Sequence, residues 1–149
     1  MEQQIEIPNQ LSISTSMINY IVDITSAKSI RRYADLIYKH VESPLSSVPF
    51  HQDVKGLQRY VAEGFPYHLA IHQFVRMDRV PETYTQPHAH PFDELNIIIG
   101  DDLQYNILLG DENFIVEGNH SLWIPAGVTH AANVISGTGY YVVIRLDHQ

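Results

Sequence analysis

From Tyr67 onward the pattern of apolar and polar positions is one of strands and turns throughout. A run from His68 to Met77 predicts one strand, and Tyr140 to Leu146 predicts a last one. Between them Gly100-Asp101 and Gly110-Asp111 mark tight turns. The first part of the chain reads differently. Residues 1 to 24 hold short alternating pieces, Ile5 with Ile7 and Leu11 with Ile13, which suit edge strands or an arm. Ser26 is placed to cap a helix whose apolar stripe runs through Ile30, Tyr33, Ala34, Ile37 and Val41, with Pro44 just beyond its end. A second short helical piece is predicted around Leu57, Tyr60 and Val61, ending at Gly64. The expected organisation is residues 1–65 as an N-terminal arm and helices, packing on a barrel of residues 66–149, one domain overall.

Composition narrows the chemistry. At 149 residues the chain is long enough to bury a core without cross-links. Having no cysteine, it can form neither a disulfide nor a thiolate ligand. Any bound metal is therefore held by nitrogen and oxygen, which suits iron, manganese, nickel, cobalt, copper or zinc. A net charge of −8 repels nucleic acid and anionic lipid, so neither is an expected partner. The opening Met-Glu-Gln-Gln-Ile-Glu lacks the basic start and apolar run of a signal peptide, and no apolar run reaches membrane-spanning length. A cytoplasmic protein acting on a small molecule is the expectation.

The segment His88-Ala-His90-Pro-Phe-Asp-Glu94-Leu-Asn-Ile-Ile-Ile-Gly100 carries the strongest chemical signal. His88 and His90 are two residues apart, so on extended chain both imidazoles face the same side, and Glu94 shares their parity. About thirty residues later comes Gly118-Asn-His-Ser-Leu-Trp-Ile-Pro125-Ala-Gly127-Val-Thr-His130, offering a further imidazole after a Pro-x-Gly turn. Ligands so far apart in sequence must converge inside the fold. A closed or nearly closed antiparallel barrel does this better than a sandwich.

Together these segments resemble the two motifs of the cupin superfamily, His-x-His-x-x-x-Glu ending in Gly, and Gly, Pro-x-Gly, x-x-His. The resemblance spans roughly Gln86 to Asn133, about a third of the chain. Glu94 to Gly100 is one residue shorter than the usual first motif, and Gly118 to Pro125 one longer than the usual second. Both offsets fall between ligand and turn, where a bulge can absorb them. What the resemblance implies is a mainly β fold, a cupin-type antiparallel β-barrel (double-stranded β-helix, or jelly roll) with an N-terminal helical segment. It also implies one divalent metal ion on His88, His90, Glu94 and His130.

Three imidazoles and a carboxylate leave coordination positions open for water, substrate or oxygen. The expected function, by analogy, is a ferrous dioxygenase-type oxidoreductase. The alternatives are a Lewis-acid isomerase, cyclase or lyase, and a non-catalytic ligand-binding barrel. Asn96, of the same parity as Glu94, is expected inside the barrel as a catalytic neighbour that orients a substrate oxygen or a water. His68 and His72 read as a partly exposed pair on an edge strand, and His120 as solvated. Asp93 is the substitute ligand if the register shifts by one. Tyr84, Tyr105 and Trp123 are candidates for an aromatic wall or for plain core. Open sheet edges, with N-terminal strands to cover one, point to a homodimer.

Overall fold

The computed structural model describes residues 33–77 and 83–146. Its strands are β1 (His40–Glu42), β2 (Leu57–Ala62), β3 (His68–Met77), β4 (Asp93–Ile99), β5 (Gln104–Leu109), β6 (Glu112–Glu117), β7 (His120–Ile124) and β8 (His130–Leu146). Every pairing is antiparallel, in the order β1-β2-β3-β8-β4-β7, with β5 joining β6 to β8.

The seventeen-residue β8 organises the rest. Its first half, His130 to Ser136, pairs with β5; its second half, from Gly139 to Leu146, lies between β3 and β4. The chain turns between these halves at Gly137 (φ 105°) and Gly139 (φ 152°), where a Cβ would stand 2.2 Å from the carbonyl oxygens of Asp102 and Ile99 respectively. Only glycine fits so close an approach at such a φ. The core lies between the two groups of strands, with Phe74 and Met77 from β3, Ile98 from β4, Tyr105 and Ile107 from β5, and Val134 and Tyr141 from β8.

Two predicted helical pieces need correction. Residues Leu57–Ala62 are strand β2, not a helix. An i, i+3, i+4 apolar pattern over so short a run does not distinguish the two, and pairing with β3 from Leu57↔Phe74 to Val61↔Ala70 decides it. The stripe proposed from Ser26 to Val41 also ends differently. Tyr33–Leu36 forms one 3₁₀ turn, Ile37 follows it outside any helix, and Val41 lies in β1; Ser26 and Ile30, and the alternating pieces of residues 1 to 24, lie outside the described residues. There is no α-helix among the described residues, and none long and apolar enough to cross a membrane. A compact unit begins at Tyr38, and the sheet takes in β1 and β2 from the stretch before residue 66. The strand from His68 to Met77 and the turns at Gly100-Asp101 and Gly110-Asp111 stand where the pattern places them.

Candidate metal centre

Three imidazoles meet where the entry to β4 runs beside the start of β8. His88 donates its N–H to the His130 carbonyl at 3.1 Å and accepts that residue's N–H at 2.8 Å, which fixes the two backbones side by side. His90 is tied in through its carbonyl, which accepts from Gly127 N–H at 2.8 Å. This holds the Pro125–Gly127 turn against the first motif. Asp93 completes the clamp, its Oδ1 accepting from Ala126 N–H at 2.8 Å. The carboxylate considered as a substitute ligand is thus a fastening for the turn.

The ring centroids of His88 and His130 are 4.4 Å apart, those of His90 and His130 4.7 Å, and those of His88 and His90 6.1 Å. One ring nitrogen from each lies within 4.8 Å of the other two, so the cluster can hold a divalent ion. Every ring is anchored the same way. Nδ1 of His88 bonds the Gln86 carbonyl at 2.9 Å, Nδ1 of His90 the Phe92 carbonyl at 2.8 Å, and Nδ1 of His130 the Val128 carbonyl at 2.9 Å. A carbonyl only accepts, so each Nδ1 carries the proton and each Nε2 keeps a free lone pair. This is the tautomer that a metal bound through Nε2 requires. Nε2 of His90 is buried without a hydrogen-bond partner, an arrangement that costs free energy unless an ion fills it. Burial lowers the pKa of His130 and outweighs the opposing hydrogen bond to Val128 and the charge of Glu94, which favours the neutral, ligating form.

Glu94, on β4, stands just beside the cluster and is buried. Its Oε2 lies 3.3 Å from His90 Nε2 and 3.8 Å from Arg145 Nε. Asn96, two residues on, is 1% exposed with Oδ1 unpaired, and it lines the same cavity as Glu94, His88 and His130. That cavity, of about 50 Å³, is also lined by His51, Arg59, His68, Ala70, His72, Tyr84, Thr85, Val143 and Arg145, among others. With roughly 10–15 Å³ needed per water on this measure, it takes a few water molecules or a compact ligand.

His68 and His72 are not an edge pair. β3 is flanked on both sides, by β2 and β8, and His72 is 7% exposed. Burial above all, then the positive charge of Arg59, pushes its pKa down to about 3. Tyr84 and Tyr105 are core residues, whereas Trp123 is exposed. The Tyr84 hydroxyl accepts from Val134 N–H at 3.1 Å, and burial raises the Tyr84 pKa to about 12. His120 is exposed at the start of β7.

Several residues in or beside the cavity carry no motif. His51 sits in a loop with Nδ1 bonded to the Pro49 carbonyl at 2.8 Å, its ring edge-on to His88 at 5.3 Å. Phe50 stacks on His88, with centroids 5.4 Å apart, and has φ 68°, a strained conformation for a residue with a side chain. Its carbonyl is held by Gln86 N–H at 2.8 Å. Arg145 alone had a legible signal, since it shares the inward parity of Tyr141 and Val143 on the last strand.

No protein-family model and no curated protein matches the chain. Solved structures do. A cupin superfamily protein from Desulfitobacterium hafniense aligns at TM-score 0.51 and 16% identity, covering 74% of this chain and 97% of that one. The structure of the DMSP lyases RdDddP and RnDddQII aligns at TM-score 0.51 and 10% identity, over 77% of this chain and 60% of that one. A conserved Streptococcus pyogenes protein of unknown function aligns at 0.50 and 15%, over 64% and 80%. Such identities speak for architecture alone, and the fold of this chain is of the cupin type.

Proposed function

We propose that this chain is a metal-dependent enzyme acting on a small molecule bound in the cavity, with His88, His90 and His130 holding one divalent ion and Glu94 as its fourth donor. The observation that carries the reading is the common anchoring of the three imidazoles, each with Nδ1 spent on a carbonyl and Nε2 left to converge. A nitrogen and carboxylate donor set of this kind suits Fe²⁺, and also Mn²⁺, Ni²⁺, Co²⁺, Cu²⁺ or Zn²⁺. When bound, such an ion supplies Lewis-acid polarisation and, if ferrous, redox chemistry with dioxygen.

The surrounding side chains favour proton transfer. His51 stands beside the cluster as a further imidazole whose Nδ1 is already bonded, leaving Nε2 to take or return a proton. Asn96 presents a buried, unpaired amide oxygen to the same space, where it orients a substrate hydroxyl or a water. Isomerase, cyclase or lyase chemistry is therefore placed ahead of the ferrous dioxygenase reading, which the donor set keeps as the second.

Elemental analysis of protein purified without added metal tests the centre. About one equivalent of a first-row ion is expected in the wild type, and a large loss in His130→Ala. Turnover of small carbonyl compounds and acids with and without oxygen then separates the chemistries: activity undiminished under anaerobic conditions supports proton transfer, and strict oxygen dependence supports the dioxygenase. Wild-type protein that neither retains nor takes up a divalent ion ends the proposal.

A further inference from the structure

The cavity contains two cations and one carboxylate, and that imbalance has a spatial pattern. Across the sheet Arg59 on β2 pairs with His72 on β3, and His72 with Tyr141 on β8. Four residues along, His68 pairs with Arg145, and Arg145 with Glu94 on β4. Alternation puts all these side chains on the inner face, and they line one cavity. The intervening row is Val61, Ala70, Val143 and Asn96, and the last three also line the cavity.

Arg59 is 6% exposed. Its Nη1 donates to Ser43 Oγ at 2.8 Å, and no carboxylate among the described residues lies within ion-pair distance of it. A guanidinium has five N–H donors, so most of its capacity is left over. Burial, and after it the like charge of Arg145, pushes its pKa down, yet an arginine remains charged. Arg145 lies over the Phe92 ring, its Cζ 5.0 Å from the centroid, but its N–H groups are little better supplied. Its Nε is buried with no hydrogen-bond partner, and its neighbour Glu94 Oε2, at 3.8 Å, is shared with His90. An arginine kept only for stability is normally capped by a carboxylate, because an unpaired buried charge is costly. Here the missing anion has a place to sit, within a cavity that opens onto the histidine cluster.

We propose that Arg59 and Arg145 form an anion-binding subsite and that the small molecule processed here carries a carboxylate, directed by the guanidinium fork while its reacting end faces the histidines. This rests on the metal-enzyme reading above. A carboxylate matches the paired N–H groups of a guanidinium in plane, and the cavity's small volume favours it over a bulkier phosphate ester. The overall charge of −8 gives no general attraction for anions, so the subsite has to be local.

The test titrates the metal-loaded protein with malonate and with its neutral diamide, malonamide, by calorimetry, and measures metal content and thermal stability on the same samples. Arg59→Gln should weaken malonate at least tenfold and leave malonamide unchanged, while Arg59→Lys restores part of the loss. Arg145→Gln, at a more exposed position, should act in the same direction and serves if the Arg59 variants do not fold. Folded variants that bind malonate as the wild type does overturn the proposal. So does inorganic phosphate binding through Arg59 more tightly than malonate. Metal content reads the earlier proposal separately, since protein lacking the ion yet binding malonate through Arg59 keeps the subsite and removes the metal.

Discussion

His72 is kept neutral by its surroundings, and this fixes part of the protein's response to acid. In the fold it takes up a proton only near pH 3, whereas the unfolded side chain does so near its ordinary 6.5. Between those values the unfolded chain binds more protons, so this contribution is intact above about 6.5 and is lost as pH falls toward 3. The loss is on the order of a few kcal/mol. Denaturation midpoints followed from pH 7 to pH 4 should fall steeply in the wild type and less steeply in His72→Gln. Asn96 is a different case. Asn96→Ala should leave metal content unchanged and lower turnover about tenfold; wild-type turnover with a located substrate would remove its catalytic role. The three histidines were legible because spacing and parity on one short segment constrain where they point. His51 and Arg59 were not, because each is a single residue outside any pattern and reaches the cavity only through tertiary pairing.

At the level of elements the corner of β8 is the sensitive point. Gly137→Ala and Gly139→Ala each drive a Cβ into a carbonyl oxygen of the Asp102 or Ile99 peptide at a φ that L residues avoid. Each should cost about 3 kcal/mol or more, whereas Gly110→Ala, with open space at its turn, should cost far less. Thermal melts of the three variants check the order. Strands of alternating pattern after Tyr67 were readable because a two-residue period survives burial on one face. The earlier stretch misled. Leu57, Tyr60 and Val61 satisfy a helical spacing by coincidence of a short run, and Arg59, a buried cation on β2, disguises the inward face that would have shown a strand.

For the whole molecule, the order of strands leaves β1, β6 and β7 at the ends of the described sheet, and Trp123 on β7 and Phe114 and Ile115 on β6 are exposed. An unpaired edge beside exposed apolar side chains is a surface that a second copy can cover. A homodimer is accordingly proposed; light scattering that gives a monomer mass over a wide concentration range removes it. The barrel itself was legible from two motifs that must converge. Its long shared strand was not, because nothing local distinguishes His130 to Leu146 from two separate strands joined by a glycine turn. That continuity has a thermodynamic meaning. His130 opens the same strand that carries Tyr141 through the core and holds Arg145 near its end, so this donor of the candidate metal centre is expected to come free only when that strand opens. Amides of β8 should exchange with deuterium at the rate set by global opening, and an ion present at a hundred times its dissociation constant should slow all of them together, by the equivalent of about 2.7 kcal/mol.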